Sequence, residues 1–485
     1  MSKPNPQKKG YIMKVSHKET IIESKAMAQL CSYLANRSES WETEGRLPDL
    51  EMFEKGLHAC MMELERELVA QELSRYDVKA EAVEVEGTIY KWEMSSPEAY
   101  HSAAGEIRVE RQLYRPAGRS TKSICPLEMR SGIVMGVMTP RAARQSAYAM
   151  AHLPTATVEK LFEEIGNMEP SRSTLGKLPA ELSQKWETNR EEWEKELRGM
   201  EVIPREAAVL VISQDGVMTP MKDGNRAGKR SQEDKQPTGP SGYKEVGCGT
   251  VTLYDDEGTR LQTVRYGRMP EKNKATLHSQ LEAECQSILP LRPDLKVVKL
   301  ADGAKDNWQS LGSLDFGLDP NSTPVEETDI VDFFHAAEHL KEGCDAIWGK
   351  ASVKTKAEFE RLRILLKEAD DGVKKVINVF RYRLGRVSAP TRKETICKQL
   401  TYFRNQRHRM NYAEYLRQGL PIGSGVVEAA CKTLVTQRMK CSGMAWKQTG
   451  GQAILTLRSL IQSERWDNAW HSLKCAFCTP VTICA

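Results

Sequence analysis

The middle of this 485-residue chain predicts an α/β domain on a mixed five-stranded sheet, with an all-helical insertion before its last helices. Three observations carry that prediction. Between residues 207 and 333, apolar runs and turn signals follow one another as three strands in a meander, then helix, strand, helix, strand. From 336 to 419 helical periodicity continues with no strand-like run. Two of the strands also end alike: 207–215 delivers Asp215-Gly216, and 296–301 delivers Asp302-Gly303.

In chain order, residues 18–76 read as helical, with Leu50, Phe53, Leu57, Met61, Leu64 and Leu68 in one apolar stripe. The period then changes to that of strands at 88–92 and 105–114, a small packing sheet in which Arg108 and Arg111 are weaker candidates for phosphate contacts. Helices are expected at 141–152 and 155–165, and a third opens near 170–175 with Ser171 or Ser173 as N-cap. Helix, turn and helix with a polar, basic start suits docking in a major groove, and equally a plain trihelical packing module. A charged helix at 184–200 leads into the central domain. There the strands are 207–215, 246–254, 260–266, 296–301 and 329–333, with helices over 274–289 and 308–314 and a mobile polar loop over 222–242. This is the element order of a ribonuclease H-like fold, which keeps its first and fourth strands adjacent. A Gly- and Pro-rich break at 419–425 then opens a helix with Ser424 as candidate N-cap and Glu428 in its first turns, where an anion is favoured. The expected divisions are 1–80, helical; 81–118, a small β element; 119–200, a helix-turn-helix-like DNA-binding module and connector; 201–335, the first part of the core; 336–419, the helical insertion; 420–474, the rest of the core; and 475–485, a tail.

Composition limits the function classes. The N-terminus is polar with no apolar run behind it, and no stretch reaches membrane-span length, so a cytoplasmic protein is expected. The 12 Cys are scattered, and Cys60, Cys285 and Cys431 sit in apolar patterns that predict buried, reduced thiols. Cys475 and Cys478 form a lone Cys-x-x-Cys with no second pair, which argues against zinc. The net charge is only +4, but residues 381–447 hold fourteen Lys or Arg against three acids. Phe380, Tyr382, Tyr402, Phe403, Tyr412, Tyr415 and Trp446 are interleaved among them. That pattern predicts a phosphate-backbone binder, with Arg404, Arg407, Arg409, Lys432, Arg438 and Lys440 as candidate DNA contacts.

Carboxylates converging at a sheet's rim can hold two divalent ions about 4 Å apart for in-line attack on phosphorus. Mg²⁺ suits this because it prefers oxygen ligands and leaves positions for phosphate. Asp215, Asp302 and Glu428 are the expected catalytic and metal-binding set.

Several segments, in order, resemble the ISKra family of bacterial insertion-sequence transposases. They are Gln214-Asp-Gly-Val, Leu300-Ala-Asp-Gly-Ala, Asp332-Phe-Phe-His-Ala-Ala-Glu-His-Leu, Leu420-Pro-Ile-Gly-Ser-Gly-Val-Val-Glu-Ala-Ala-Cys-Lys-Thr-Leu-Val and Gly450-Gly-Gln-Ala-Ile-Leu-Thr-Leu-Arg-Ser-Leu. The likeness covers roughly 205–470, is looser over 80–180 and hardly extends to 1–80. It implies a DDE-type enzyme with a ribonuclease H-like core, Mg²⁺ dependence with Mn²⁺ as substitute, and catalytic acids at Asp215, Asp302 and Glu428. It also implies double-stranded DNA partners (the element's terminal inverted repeats and target DNA), a homodimer or higher oligomer on DNA, and a bacterial, nucleoid-associated location when bound. Asp332 and His335 match an Asp-x-x-His motif and are expected to support the site, with His335 as a hydrogen-bonded core residue. The competing expectations are a nuclease or resolvase that cuts without joining, and a transposase-derived DNA-binding regulator.

Overall fold

Val209, Leu210, Val211 and Ile212 are all buried, so their strand offers neither face to water and needs cover on both sides. The computed structural model describes residues 24–44, 49–116, 122–222, 242–318 and 325–484, and places this strand at the centre of a sheet. The chain divides into two compact units, one holding the described residues up to Ser146 with Thr155–Leu175 and those from Lys474 onward, the other Ala147–Pro154 and Gly176–Leu473. The segment read as a DNA-binding module is shared between the two units.

In the first unit, helices α1 (Lys25–Glu44) and α2 (Leu50–Ser74) follow one another, tied by Ala26 N donating to Glu67 Oε2 at 3.0 Å. Strands β1 (Ala82–Val85), β2 (Thr88–Ser102) and β3 (Gly105–Pro116) form an antiparallel sheet whose far edge is a short C-terminal strand, Thr482–Ile483, beside β1. Leu73 of α2 packs with Tyr100, Ile107 and Val109 in its core. Arg111 is held by Glu98 and Glu128, which removes it as a phosphate contact. Helices α3 (Pro126–Ser131), α4 (Pro140–His152) and α5 (Thr155–Ile165) follow, and α6 (Arg172–Thr188) and α7 (Arg190–Met200) lead the chain into the second unit.

The second unit carries β4 (Val209–Pro220), β5 (Tyr243–Tyr254), β6 (Arg260–Arg268), β7 (Lys296–Ala301) and β8 (Glu327–Val331) in the order β6-β5-β4-β7-β8. The first three are antiparallel neighbours, while β7 joins β4, and β8 joins β7, in parallel. Counted along the chain this is 3-2-1-4-5, so the first and fourth strands are neighbours. Alternation along β5 serves both faces: Val251 and Leu253 belong to a core shared with Leu277 and Leu281 of α8 (Ala275–Ile288). Val246 and Cys248 face a second core with Leu434 and Leu455.

Two boundaries differ from expectation. β4 does not stop at Asp215-Gly216 but runs on to Pro220, because β5 continues to pair with it through Pro220↔Tyr243. β8 ends at Val331, and Phe333 instead opens helix α10 (Phe333–Trp348) with Asp332 as its N-cap. The loop expected over 222–242 lies, from 223 to 241, outside the described residues.

After β7 comes α9 (Lys305–Gly312), and after α10 come α11 (Val353–Glu368), α12 (Gly372–Leu384), α13 (Pro390–Gln406) and α14 (Tyr412–Arg417). Leu362, Val376, Phe380, Phe403 and Tyr412 of these helices are buried in one core with the sheet residues. The chain then returns as α15 (Gly425–Ala430), a π-helical turn (Cys431–Thr436), α16 (Gln437–Met439), α17 (Gln448–Gln462) and α18 (Trp466–Cys475). α17 lies along β6, where Ser459 Oγ accepts from Gly267 N at 3.1 Å and Ser463 Oγ from Arg265 N at 2.9 Å. Buried Arg465 completes this corner by pairing with Glu284 of α8 at 2.7 Å and with Glu201 at 2.6 Å.

The thiols are all free; Cys285 and Cys431 are buried as expected, whereas Cys60 is only half-buried. Among the described residues, no helix is long and apolar enough to cross a membrane.

Candidate active site

Parallel pairing of β4 with β7 runs from Val209↔Lys296 to Ser213↔Leu300. Continuing that register two residues sets Asp215 opposite Asp302, on strands whose ordinary spacing is about 4.8 Å. β7 ends at Ala301 while β4 continues, so Asp215 lies mid-strand yet at an edge of the sheet on its β7 side. Both Asp-Gly pairs were readable as turns; Gly303 lies in the bend between β7 and α9, whereas Gly216 is inside β4. A Cβ on Gly216 would stand 1.9 Å from Glu245 Oε1, and one on Gly303 would stand 2.3 Å from the Tyr402 ring. Each glycine admits a side chain packed flat against the backbone beside an aspartate.

Asp215 Oδ1 accepts from Gly216 N at 2.7 Å, and the Cys431 thiol lies 3.5 Å from Oδ2. Burial raises its carboxyl above the ordinary aspartate range, and the charge of Asp302 adds to the rise. Asp302 is clasped by α9: Oδ1 accepts from Ala304 N at 3.1 Å and Asn307 Nδ2 at 2.9 Å, and its carbonyl accepts from Trp308 Nε1 at 2.6 Å.

Glu428 rides on α15 as an exposed residue, with Ser424 Oγ donating to Oε1 at 3.3 Å. Ser424 stands at the N-cap position but spends its hydroxyl on Glu428 rather than on a helix N–H. Partial desolvation of the Glu428 carboxyl raises it, followed by the charge of Asp332 and then, more weakly, that of Asp215.

Asp332 has another role. It is buried, Oδ1 accepts from His335 N at 2.8 Å, and Oδ2 accepts from Ser424 N. Next to it Phe333 N donates to Ile422 O at 2.9 Å. These bonds tie together the two ends of the helical insertion and fix the start of the helix bearing Glu428. His335 corrects the expectation of a core histidine: its imidazole is half-exposed and 3.6 Å from Glu338 Oε2. The more strongly packed histidine is His339, itself half-buried, which stacks on Tyr402 at 3.7 Å and lies with Nδ1 2.6 Å from Gln399 Oε1.

Of the candidate DNA contacts, Arg404, Arg407, Lys432 and Lys440 are exposed. Arg438 is not available: it is buried and donates to Met150 O at 3.3 Å. Arg409 is committed to Asp329 at 3.1 Å and stacks 4.0 Å over Trp308, the residue that holds the Asp302 carbonyl. The aromatics counted with these cations are mostly core, since Phe380, Phe403, Tyr412 and Tyr415 are buried.

A divalent cation is the group this donor set suggests. Asp215 and Asp302 are adjacent oxygen donors, which fits an ion that commonly takes one or two carboxylates and keeps its remaining positions for water and phosphate. No group of three or more His, Cys, Asp or Glu is gathered closely enough to hold a metal among the described residues, so Glu428 does not close a cage with the aspartates here.

No protein-family model and no curated protein matches the sequence. Among solved structures, the chain is similar to the Drosophila P element transposase strand transfer complex at 12% identity, over 68% of this chain and 80% of that one, with a TM-score of 0.25. A likeness at that level decides neither fold nor chemistry.

Proposed function

We propose that this chain is a DNA transposase of the DDE type, with a ribonuclease H-like core and an affinity to the ISKra family. The observation that carries the reading is the register of Asp215 against Asp302 on neighbouring parallel strands of a 3-2-1-4-5 sheet. The ordered sequence motifs support it, as does the helix bearing Glu428 arriving after an all-helical insertion.

Asp215 and Asp302, completed by Glu428, would hold Mg²⁺, with Mn²⁺ as substitute. Once bound, the ions supply activation of the attacking hydroxyl and neutralisation of charge on the transferred phosphate. The protein's own work is positional. The sheet fixes the aspartates, α9 clasps Asp302, and Asp332 sets the helix that presents Glu428. Exposed cations such as Arg404 and Arg407 would hold the phosphate backbone of the element's ends and target. Assembly as a dimer or larger complex on DNA belongs to the same proposal.

The test uses the full chain with a labelled duplex carrying the inverted repeats that bracket its gene. Mg²⁺-dependent cleavage followed by joining of pre-cleaved ends to a second duplex is the expected result. Cleavage without joining would make it a nuclease or resolvase. Binding with neither would make it a regulator.

The backbone contacts give a separate prediction. Neutralising Arg404 and Arg407 weakens binding to all DNA alike and lowers the log-log salt slope by about 0.9 per lost contact. Arg438→Ala leaves that slope unchanged and lowers the melting temperature, because it leaves the Met150 carbonyl without its donor. Salt titrations of binding, beside thermal melts, check both halves.

A further inference from the structure

The oxygen of Asp302 that α9 clasps is linked, through three further side chains, back to the strand carrying Asp215. Asn307 is buried, with Nδ2 2.9 Å from Asp302 Oδ1 and Oδ1 3.1 Å from Lys274 Nζ. The lysine decides which way round that amide lies. An ammonium can only donate, so the amide oxygen must face Lys274 and the amide N–H must face Asp302. Lys274 Nζ also pairs with Glu245 Oε1 at 2.7 Å. Glu245, on β5, is the carboxylate that lies over Gly216, immediately after Asp215. The relay Asp302–Asn307–Lys274–Glu245 thus spans from the end of β7 to β5, where Glu245 lies over Gly216 of β4.

Its lysine is held in an uncommon backbone state. Asn273 and Lys274 both have positive φ, 57° and 51°, just before α8. Two successive non-glycine residues in the left-handed region persist only where surrounding structure holds them, and such residues gather at functional sites. A cavity of about 460 Å³ lined by Asn273, Lys274, His278, Gln309 and Ser313 opens beside them.

We propose that Lys274 and Asn307 are positioning residues for Asp302, a role that rests on the two-aspartate reading of the site. Asn307 fixes the carboxylate's rotation by holding Oδ1, so that Oδ2 is the oxygen offered to a cation. Lys274 fixes Asn307, and its ammonium offsets part of the repulsion between the two aspartates. A residue that merely caps α9 would affect stability alone; a positioning residue also changes ion affinity.

The experiment measures Mn²⁺ binding to the full chain by calorimetry, the Mn²⁺ concentration for half-maximal end cleavage, and the melting temperature. The variants are Asn307→Ala, Lys274→Gly and Asp302→Asn. Glycine adopts the left-handed conformation freely, so Lys274→Gly removes the ammonium without straining the turn. Asn307→Ala and Lys274→Gly are each expected to weaken Mn²⁺ binding about 10- to 100-fold, the usual cost of losing an outer-shell partner, and to raise the Mn²⁺ requirement for cleavage in parallel. If Asp302→Asn abolishes binding while both other variants bind within about twofold of the parent, the relay is structural and the proposal fails. If Asp302→Asn binds Mn²⁺ like the parent, the two-aspartate reading itself is wrong, and the relay's role goes with it.

Discussion

Asp215→Asn, Asp302→Asn and Glu428→Gln are each expected to abolish the proposed Mg²⁺-dependent cleavage and joining of an element end, while DNA binding survives. Each change keeps the side chain's shape and removes only its negative charge, so the loss reports on charge and ligation. Binding survives because the exposed cations are untouched. For Asp215→Asn, relief of the cost of burying the charge, and of its repulsion by Asp302, even favours folding. A loss of at least about 10³-fold in rate is expected, comparable to removing one group that stabilises transition-state charge. Glu428→Asp is also strongly impaired: the helix fixes the backbone, so the carboxylate falls one methylene short, and productive geometry tolerates little displacement. Cleavage of a labelled end in Mg²⁺ and in Mn²⁺, beside binding in Ca²⁺, reads all four. Wild-type cleavage by Glu428→Gln with both aspartate variants dead would remove Glu428 from the set. Exposed Glu338, one helical turn beyond His335, would then be the next candidate, since both oxygens of Asp332 are occupied by backbone N–H groups.

Asp332→Ala is expected to lose both activity and stability, whereas Asp332→Asn loses activity with much of the stability retained. Alanine orphans two N–H groups, those of His335 and Ser424, and each unsatisfied buried donor costs roughly 1–3 kcal/mol. Asparagine still caps α10 through its amide oxygen, and it is among the best N-cap residues. Its amide nitrogen cannot accept from Ser424 N, so the start of α15 is released and Glu428 moves with it. Thermal melts together with end cleavage separate the two effects. An Asp332→Asn variant that cleaves at the parental rate would show that the bond to Ser424 does not set the position of Glu428.

Element order from 207 to 333 was readable because each buried strand announces itself as an apolar run closed by a turn signal. Asp215 and Asp302 were readable because they end such runs. What sequence could not show was how side chains far apart in the chain meet. Asp332 bonds Ser424 across the whole insertion, and Asn307 meets Lys274 across β7. A residue count in the basic segment also could not distinguish the two faces of a helix. Phe403 is buried beside exposed Arg404, so aromatics and cations that alternate in sequence serve the core and the surface separately. Arg438 is the same error in reverse, a cation turned inward.

The distance along the chain between Asp215 and Glu428 has a consequence for biogenesis. Synthesis runs from the N-terminus, and the aspartate strands emerge long before α15, α17 and α18. The chain beyond Gly425 supplies Leu434, in the π-helical turn, and Leu455, on α17, to one face of the sheet, and Arg465, between α17 and α18, to the buried acid Glu284. A nascent chain, or one cut short by a premature stop, therefore lacks the cover over its own sheet and, on the proposed reading, Glu428 as well. On that reading, competence to cut DNA comes only after α15 has been made.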